Sequence, residues 1–285
     1  LRLPWWYNST DGEAVEFVLQ VKPSLSSQTI LVNSGSGTGS MWDIILEPES
    51  TTHLSGSSPG NSKLTFRLNN TETGSGNMTS NAFSMSTAYV PIQNNGLWNV
   101  IIQRVSSSIS GSGTQTYKLF TGQKYKTGYN HLNFVSMSVS GGLASSADSN
   151  YRANQNWSST GSRAPLFVSG NLVFGTNYTG SLSEVRVWNS ELSASKFKQH
   201  ILSPSNFTGN SRLSSQNELI YRFPLNENTS YYLNTSRSIF DATSQWGTDY
   251  KQELELSASA TGSKLYNKKQ ITELLLTTRT DGFDR

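Results

Sequence analysis

Histidines and paired acidic residues are the side chains that most often support catalysis or bind metal ions, and this sequence offers few of either. Its three histidines, His53, His131 and His200, are far apart, and none lies in a metal-binding motif. We therefore interpret all three as surface or packing residues. The sequence predicts no metal site built on histidine.

The closest candidates for a catalytic acid pair are Glu47 and Glu49, which flank Pro48. Retaining glycosidases hold two carboxyl groups about 5 Å apart, and alternate residues of one strand can provide that separation. A proline, however, disfavours a central position in a sheet. Because the sequence contains no other catalytic arrangement, we predict that the chain is not an enzyme.

Calcium requires about six to eight oxygen ligands, several of which are usually carboxylates. The turn-rich segments of this chain contain much Asn, Ser and Gly, whereas acidic residues such as Asp11, Asp43 and Asp148 are scattered. We therefore predict that the protein has no cofactor. A calcium ion held by rim loops is the alternative.

A carbohydrate-binding site is predicted in the long polar segment 140–164, where aromatic and amide side chains occur together. Sugars are typically bound by an exposed aromatic ring that has polar side chains beside it. The residues that we assign to this site are Tyr151, Asn154, Asn156 and Trp157. The alternative, which we favour, is that Trp157 only anchors the segment on the protein core.

The composition of the 285-residue chain is typical of an all-β protein with many turns. Charged residues make up 14% and hydrophobic residues 34%, while aromatic residues reach 11%, which argues against a disordered chain. The formal net charge of +3 is too small to indicate binding to nucleic acid or insertion into a membrane. Cysteine is absent, so no disulfide framework exists. Because the chain opens without Met, we expect a processed product or a fragment.

Alternating apolar residues predict a series of half-buried antiparallel strands. The clearest of these segments are 13–22, 41–46, 63–68 and 98–105. In a further strand, Val185 and Val187 share one face, while Glu184, Arg186 and Trp188 share the other. Strands of this length, separated by turn-rich segments, are typical of a β-sandwich.

A short helix near residues 193–202 is predicted to follow the strand of Val185. Ser193 is a suitable N-cap because its hydroxyl can accept a hydrogen bond from the first turn. Ala194, Phe197 and Ile201 then fall on one side of the helix. We expect this side to pack against the end of a sheet.

This strand and helix together resemble the end of a laminin-G-like or pentraxin-like domain, which is a jelly roll of the concanavalin A type. The matching residues are Tyr178, Gly180, Glu184, Val185, Arg186, Val187, Trp188, Asn189, Leu192 and His200. The resemblance implies an all-β protein with an antiparallel jelly-roll β-sandwich over residues 1–212. A smaller C-terminal extension, or the start of a following module, would then occupy residues 213–285.

The segment 219–225 alternates again and has two interpretations. It resembles the strand that commonly opens a laminin-G-like module, although Asn226 stands where that family has Asp. We favour the interpretation that it opens a following unit. The alternative is that it closes the preceding sandwich.

We predict a structural or adhesion module of a virus (phage) particle, at the virion surface or outside the cell, that presents rim loops to a glycan or a neighbouring subunit. The low charge, the lack of cysteine and the Ser-, Asn- and Thr-rich strands resemble phage virion proteins that carry laminin-G-like domains. An oligomer would suit this role. The alternative is a secreted microbial lectin or adhesin, which would expose Tyr151 and Trp157, whereas a structural module would bury them.

Overall fold

The structure of the protein is a computed structural model in which two β-sheets pack face to face. The residues that it describes are 2–5, 13–34, 40–49, 60–70, 82–105, 114–140, 153–154, 157, 170–211, 218–225, 238–240 and 253–255. Of the residues discussed above, those outside these ranges are Asp11, His53, Asp148, Tyr151, Asn156 and Asn226.

The chain forms mostly strands within these ranges. In chain order they are β1 (Arg2–Trp5), β2 (Glu13–Val21), β3 (Gln28–Ser34), β4 (Ser40–Pro48), β5 (Ser62–Asn69), β6 (Ala82–Ser86), β7 (Leu97–Val105), β8 (Gln115–Tyr125), β9 (Gly128–Val139), β10 (Gly170–Asn177), β11 (Gly180–Trp188), β12 (Leu219–Phe223), β13 (Ser238–Phe240) and β14 (Glu253–Glu255). The helix α1 (Ala194–Leu202) lies between β11 and β12.

The strands β1 to β12 form two antiparallel sheets. The first sheet has the order β1-β10-β3-β4-β5-β6, and the second has the order β12-β11-β2-β7-β8-β9. Four of the ten neighbouring pairs join strands that are distant in the sequence, namely β1 with β10, β10 with β3, β11 with β2 and β2 with β7, as in a jelly roll. Strands β13 and β14 pair with each other. The predicted fold class, an antiparallel jelly-roll β-sandwich with a short helix near residues 193–202, is confirmed, and the smaller C-terminal extension stays a prediction.

The main hydrophobic core lies between the two sheets. Alternate residues of a strand point to the same face, so each strand contributes a row of apolar side chains. The rows that the sequence predicts on β2, β4, β5 and β11 are all buried there, namely Val15, Phe17, Leu19, Val21, Trp42, Ile44, Leu46, Leu64, Phe66, Leu68, Val185 and Val187. Their removal from water is the main stabilising contribution to the sandwich.

Strand β2 is buried on both faces, which differs from the half-buried strand that its sequence predicts. Its outer face carries Ala14, Glu16 and Val18, and none of these is exposed. The reason is that α1 packs over this face, where Phe197 and Ile201 form a second hydrophobic cluster together with Ala14. The outer face of the second sheet therefore has a small core of its own.

Helix α1 begins where the sequence predicts, because the Ser193 side chain caps its first turn. Ser193 Oγ accepts a hydrogen bond from a backbone N–H of that turn at 3.2 Å. Phe197 and Ile201 are buried against the sheet as predicted, but Ala194 is exposed and His200 is buried instead.

Within the described part of the chain, no helix combines the length and the apolar composition that crossing a membrane requires.

Strand β12 closes the second sheet, contrary to the favoured interpretation that this segment opens a following unit. It pairs with β11 in antiparallel orientation, with Phe223 opposite Val185. Tyr221 and Phe223 lie in the core between the two sheets. The sandwich therefore continues past the predicted boundary at residue 212. A separate unit after β12 stays a prediction.

Gly122 of β8 allows α1 to approach the second sheet closely. A Cβ atom at this position would lie 2.6 Å from Ile201 Cδ1 and 2.6 Å from Leu132 Cδ2. We expect Gly122→Val to lower the free energy of unfolding by about 1–3 kcal/mol, because the larger side chain would push the helix outwards. Urea unfolding measures this change. Gly128→Val is the matched control, since the nearest atom to an added Cβ there is 3.8 Å away. Equal losses in both variants would contradict the close approach.

Candidate functional site

Trp157 and Asn154, which the sequence assigns to a carbohydrate site, lie in the protein core. Trp157 is fully buried, stacks on Trp42 with ring centroids 4.9 Å apart, and donates a hydrogen bond from Nε1 to Glu13 at 2.7 Å. Asn154 Oδ1 accepts a hydrogen bond from the Tyr117 hydroxyl at 2.9 Å. These contacts anchor the segment on the sandwich, as the favoured alternative for Trp157 states.

A carbohydrate site in this segment would need other residues to reach the ligand. Trp157 and Asn154 do not reach solvent, so neither side chain contacts a sugar in this arrangement. Tyr151 and Asn156 lie outside the described residues, and their role in sugar binding stays a prediction.

The acid pair considered for catalysis makes polar contacts beside β4 and β5 of the first sheet. Glu47 accepts a hydrogen bond from the Thr65 hydroxyl and lies 3.5 Å from Lys63 Nζ. Glu49 accepts a hydrogen bond from the Asn61 side chain at 2.8 Å.

Across the described ranges, no group of three or more His, Asp or Glu side chains could hold a metal ion. The calcium alternative stays a prediction.

Asp43 and Arg67 form a second cross-strand pair on the same outer face. Arg67 donates two hydrogen bonds to the Asp43 carboxylate, at 2.8 and 2.5 Å. Burial raises the pKa of Asp43, and the bonds and charge of Arg67 offset only part of this effect. The outer face of the first sheet is thus a ladder of paired charges between neighbouring strands.

A buried polar network lies beneath α1 on the outer face of the second sheet. Glu16 Oε1 lies 2.8 Å from His200 Nδ1, and Glu16 Oε2 lies 3.2 Å from Arg186 Nη1. Trp188 Nε1 donates to the same carboxylate at 3.4 Å. His200 Nε2 lies 3.0 Å from the Thr208 carbonyl oxygen. Both ring nitrogens of His200 therefore face hydrogen-bond acceptors.

Glu184 extends this network to β12. Its carboxylate lies 2.9 Å from Arg186 Nη2 and accepts two hydrogen bonds from Arg222, each 3.1 Å long. Glu184 has a left-handed backbone, with φ of 49°, at a bulge in β11. The bulge shifts the alternation of the strand, so that Leu182 and Val185 both face the core. We call Glu16, Glu184, Arg186, His200 and Arg222 the Glu16 network.

The charge of Glu16 depends on its partners. Burial alone would raise the pKa of this carboxyl, because a low-dielectric environment disfavours the charged form. The charges of His200 and Arg186, and their hydrogen bonds, outweigh burial and lower the pKa from 4.5 to about 2. Glu16 is therefore charged at neutral pH, and its bonds join α1 and β11 to β2.

Helix α1, held in this way, places Lys198 beside two exposed aromatic rings of β9. Lys198 Nζ lies 5.6 Å from the ring centroid of Tyr129 and 5.8 Å from that of Phe134, which is within the range of cation–π contacts. Tyr129 is 43% exposed and Phe134 is 41% exposed. Phe134 also packs edge-on against Phe120, with centroids 4.7 Å apart. We call Tyr129, Phe134 and Lys198 the aromatic–lysine surface.

The sequence does not indicate this surface, because Tyr129 and Phe134 are five residues apart. An odd separation in a regular strand places two side chains on opposite faces. A bulge at His131, whose φ is 52°, adds one residue to β9, so that Tyr129 is opposite Lys124 while Phe134 is opposite Phe120. The two rings consequently share the outer face. Nothing in the local sequence marks a histidine as the site of such a bulge.

No protein-family model matches the chain, and no curated protein matches it. Solved structures to which it is similar include the enzymatically active domain of tailspike protein 2 from bacteriophage CBA120, at 12% identity and a TM-score of 0.46, over 80% of this chain and 28% of that chain. A heptameric SAP-like pentraxin from Limulus polyphemus is similar at 12% identity and a TM-score of 0.35, over 74% and 83% of the respective chains. An alginate lyase from Alteromonas sp. 272 is similar at 13% identity and a TM-score of 0.26, over 61% and 72%.

These similarities concern the fold alone, and the first of them spans 28% of the tailspike chain. They nevertheless correct the prediction that the chain is not an enzyme. Two of the three structures are described as an enzymatically active domain and a lyase.

Removal of the Glu16 charge should destabilise the sandwich strongly. We expect Glu16→Gln to lower the free energy of unfolding by about 3 kcal/mol, because Arg186 and His200 would lose the carboxylate that compensates them in a buried site. Glu191→Gln is the matched control. Glu191 is 3.6 Å from Lys118 in an exposed pair, and its loss should cost less than about 0.5 kcal/mol. Comparable losses in urea unfolding would contradict a structural role for Glu16.

The stability that Glu16 contributes should also depend on pH. Its pKa is lowered from 4.5 to about 2 in the folded protein, so the contribution is complete above pH 4.5 and is lost as the pH falls towards 2. The difference in unfolding free energy between the wild type and Glu16→Gln should shrink over this window. Urea titrations at several pH values measure it. A difference that stays constant down to pH 2 would contradict the lowered pKa.

Proposed function

We propose that the chain is an adhesion module at the surface of a virus particle, and that it binds a glycan through the aromatic–lysine surface. The location on a virus particle is supported by the low content of charged residues, 14%, and by the absence of cysteine. These features resemble phage virion proteins. The glycan-binding role is supported by the geometry of β9 and α1.

The observation that carries the proposal is the exposure of Tyr129 and Phe134 on one face of the second sheet. Exposed apolar area bordered by polar groups is a common mark of a binding surface. A sugar ring presents C–H groups that pack on an aromatic face and hydroxyl groups that need hydrogen-bond partners. Lys198 Nζ offers donors beside both rings.

The surface is also held in place before any ligand arrives. Phe134 packs on Phe120 at 4.7 Å and on Phe197 at 6.2 Å between ring centroids. Lys198 lies on a helix that the His200–Glu16 contact fixes to β2. A binding surface that is already ordered loses less conformational entropy when a ligand binds. The scaffold therefore presents the aromatic–lysine surface to a glycan at a low cost in conformational entropy.

Glycan-array binding of the wild-type chain and of Tyr129→Ala tests this proposal. We expect the wild type to bind a subset of glycans and the variant to lose at least about tenfold in affinity, because one stacking ring is removed. Tyr89→Ala is the matched control. Tyr89 is 45% exposed and also has a lysine, Lys63, at 5.6 Å from its ring, but it follows β6 of the first sheet.

The two variants separate the outcomes. Loss of binding in Tyr129→Ala with unchanged binding in Tyr89→Ala supports a glycan site on the aromatic–lysine surface. Equal affinities of all three proteins, or no binding to any glycan, would overturn the proposal. Urea unfolding of each variant shows whether the variant is still folded. A loss of binding counts only in a variant that is folded.

A further inference from the structure

We infer that the glycan bound by the aromatic–lysine surface is anionic, with carboxylate or sulfate groups. This inference rests on the proposed function and names the class of ligand at the same surface. It follows from the distribution of charges around the surface, which differs from that elsewhere on the described part of the sandwich.

Between residues 13 and 225, the acidic side chains that the structure describes are already engaged by other residues. The pairs are Glu13 with Arg104, Glu16 with Arg186, Asp43 with Arg67, Glu47 with Lys63, Glu49 with Asn61, Glu184 with Arg222, Glu191 with Lys118 and Glu218 with Ser190. The charges of four arginines and two lysines are thereby neutralised within the protein, namely those of Arg67, Arg104, Arg186, Arg222, Lys63 and Lys118. The remaining positive charges are the ones available to a ligand.

Two such charges border Tyr129. Lys198 Nζ contacts the ring, and Lys124 is the cross-strand neighbour of Tyr129 on β8 and is exposed. Lys126, in the turn between β8 and β9, lies instead over Tyr125, with Nζ 5.4 Å from that ring centroid, and alternation places Tyr125 on the face of β8 opposite to Lys124. None of the three has a described carboxylate within 4.0 Å. The rings therefore lie in a region of positive potential.

The comparison with Tyr89 shows that this arrangement is specific to one surface. Lys63 also lies over an exposed tyrosine ring, but its charge is balanced by Glu47 at 3.5 Å. Lys198 has no such partner among the described residues. An aromatic ring beside a lysine that is paired with a carboxylate suits a neutral ligand. A ring beside lysines without such a partner attracts an anion.

Single-stranded nucleic acid is also anionic and also stacks on aromatic rings. Its binding, however, depends on a positively charged groove that tracks many successive phosphates. Here Lys124 and Lys198 are the lysines placed beside the rings, and the net charge of the chain is only +3. A polysaccharide with one charge for each sugar ring matches two aromatic rings and two lysines better.

The test measures affinity for a polyuronate and for the same polymer after chemical reduction of its carboxyl groups. We expect the polyuronate to bind more tightly, and its affinity to fall as salt rises from about 50 to 500 mM. Lys198→Gln should lower its affinity about threefold to tenfold and should lower that of the reduced polymer less, because Gln loses the charge but keeps a hydrogen-bond donor. Lys196→Gln is the control, because residues two apart on a helix point to different sides.

The outcomes distinguish this inference from the proposed function. Suppose that both polymers bind equally and Lys198→Gln has no effect, while Tyr129→Ala still abolishes binding. The inference of an anionic ligand is then wrong, whereas the proposed glycan site is still supported. If Tyr129→Ala changes neither affinity, the glycan site itself is wrong. If single-stranded DNA binds as tightly as the polyuronate and responds to the same variants, the assignment to an acidic glycan is overturned.

Discussion

The bonds of one buried carboxylate, Glu16, hold the outer half of this structure together. A charge removed from water is stable only when it is paired and hydrogen-bonded, and here the partners come from β11 and α1. Arg186 continues the network to Glu184, which in turn binds Arg222 on β12. The position of α1 and the closing of the second sheet by β12 both depend on this chain of contacts.

Strand β2 carries a second buried carboxylate that faces the opposite way. Glu13 points into the sandwich, where it pairs with Arg104 and accepts a hydrogen bond from Trp157, while Glu16 points out to α1. One strand thus anchors a segment of the long 140–164 region on its inner side and the helix on its outer side. The aromatic–lysine surface is the solvent-facing border of that outer assembly.

Much of the fold can be predicted from the sequence, because the core-facing residues of β2, β4 and β5 alternate with outward-facing ones and Ser193 marks the start of α1. The site cannot, and the reason is local geometry. The bulge at His131 brings Tyr129 and Phe134 to one face, although their spacing places them on opposite faces of a regular strand. Likewise, buried charges such as Glu16 look like solvent-facing residues in an alternating pattern, because only the helix that covers them makes them internal.

A crystal structure of the chain with a bound acidic oligosaccharide tests the central claim most directly. We predict a sugar ring packed against Tyr129, with a carboxylate of the ligand within hydrogen-bond distance of Lys198. An oligosaccharide bound to the outer face of the first sheet, along Asp43 and Arg67, with no contact to Tyr129 or Lys198, would contradict it.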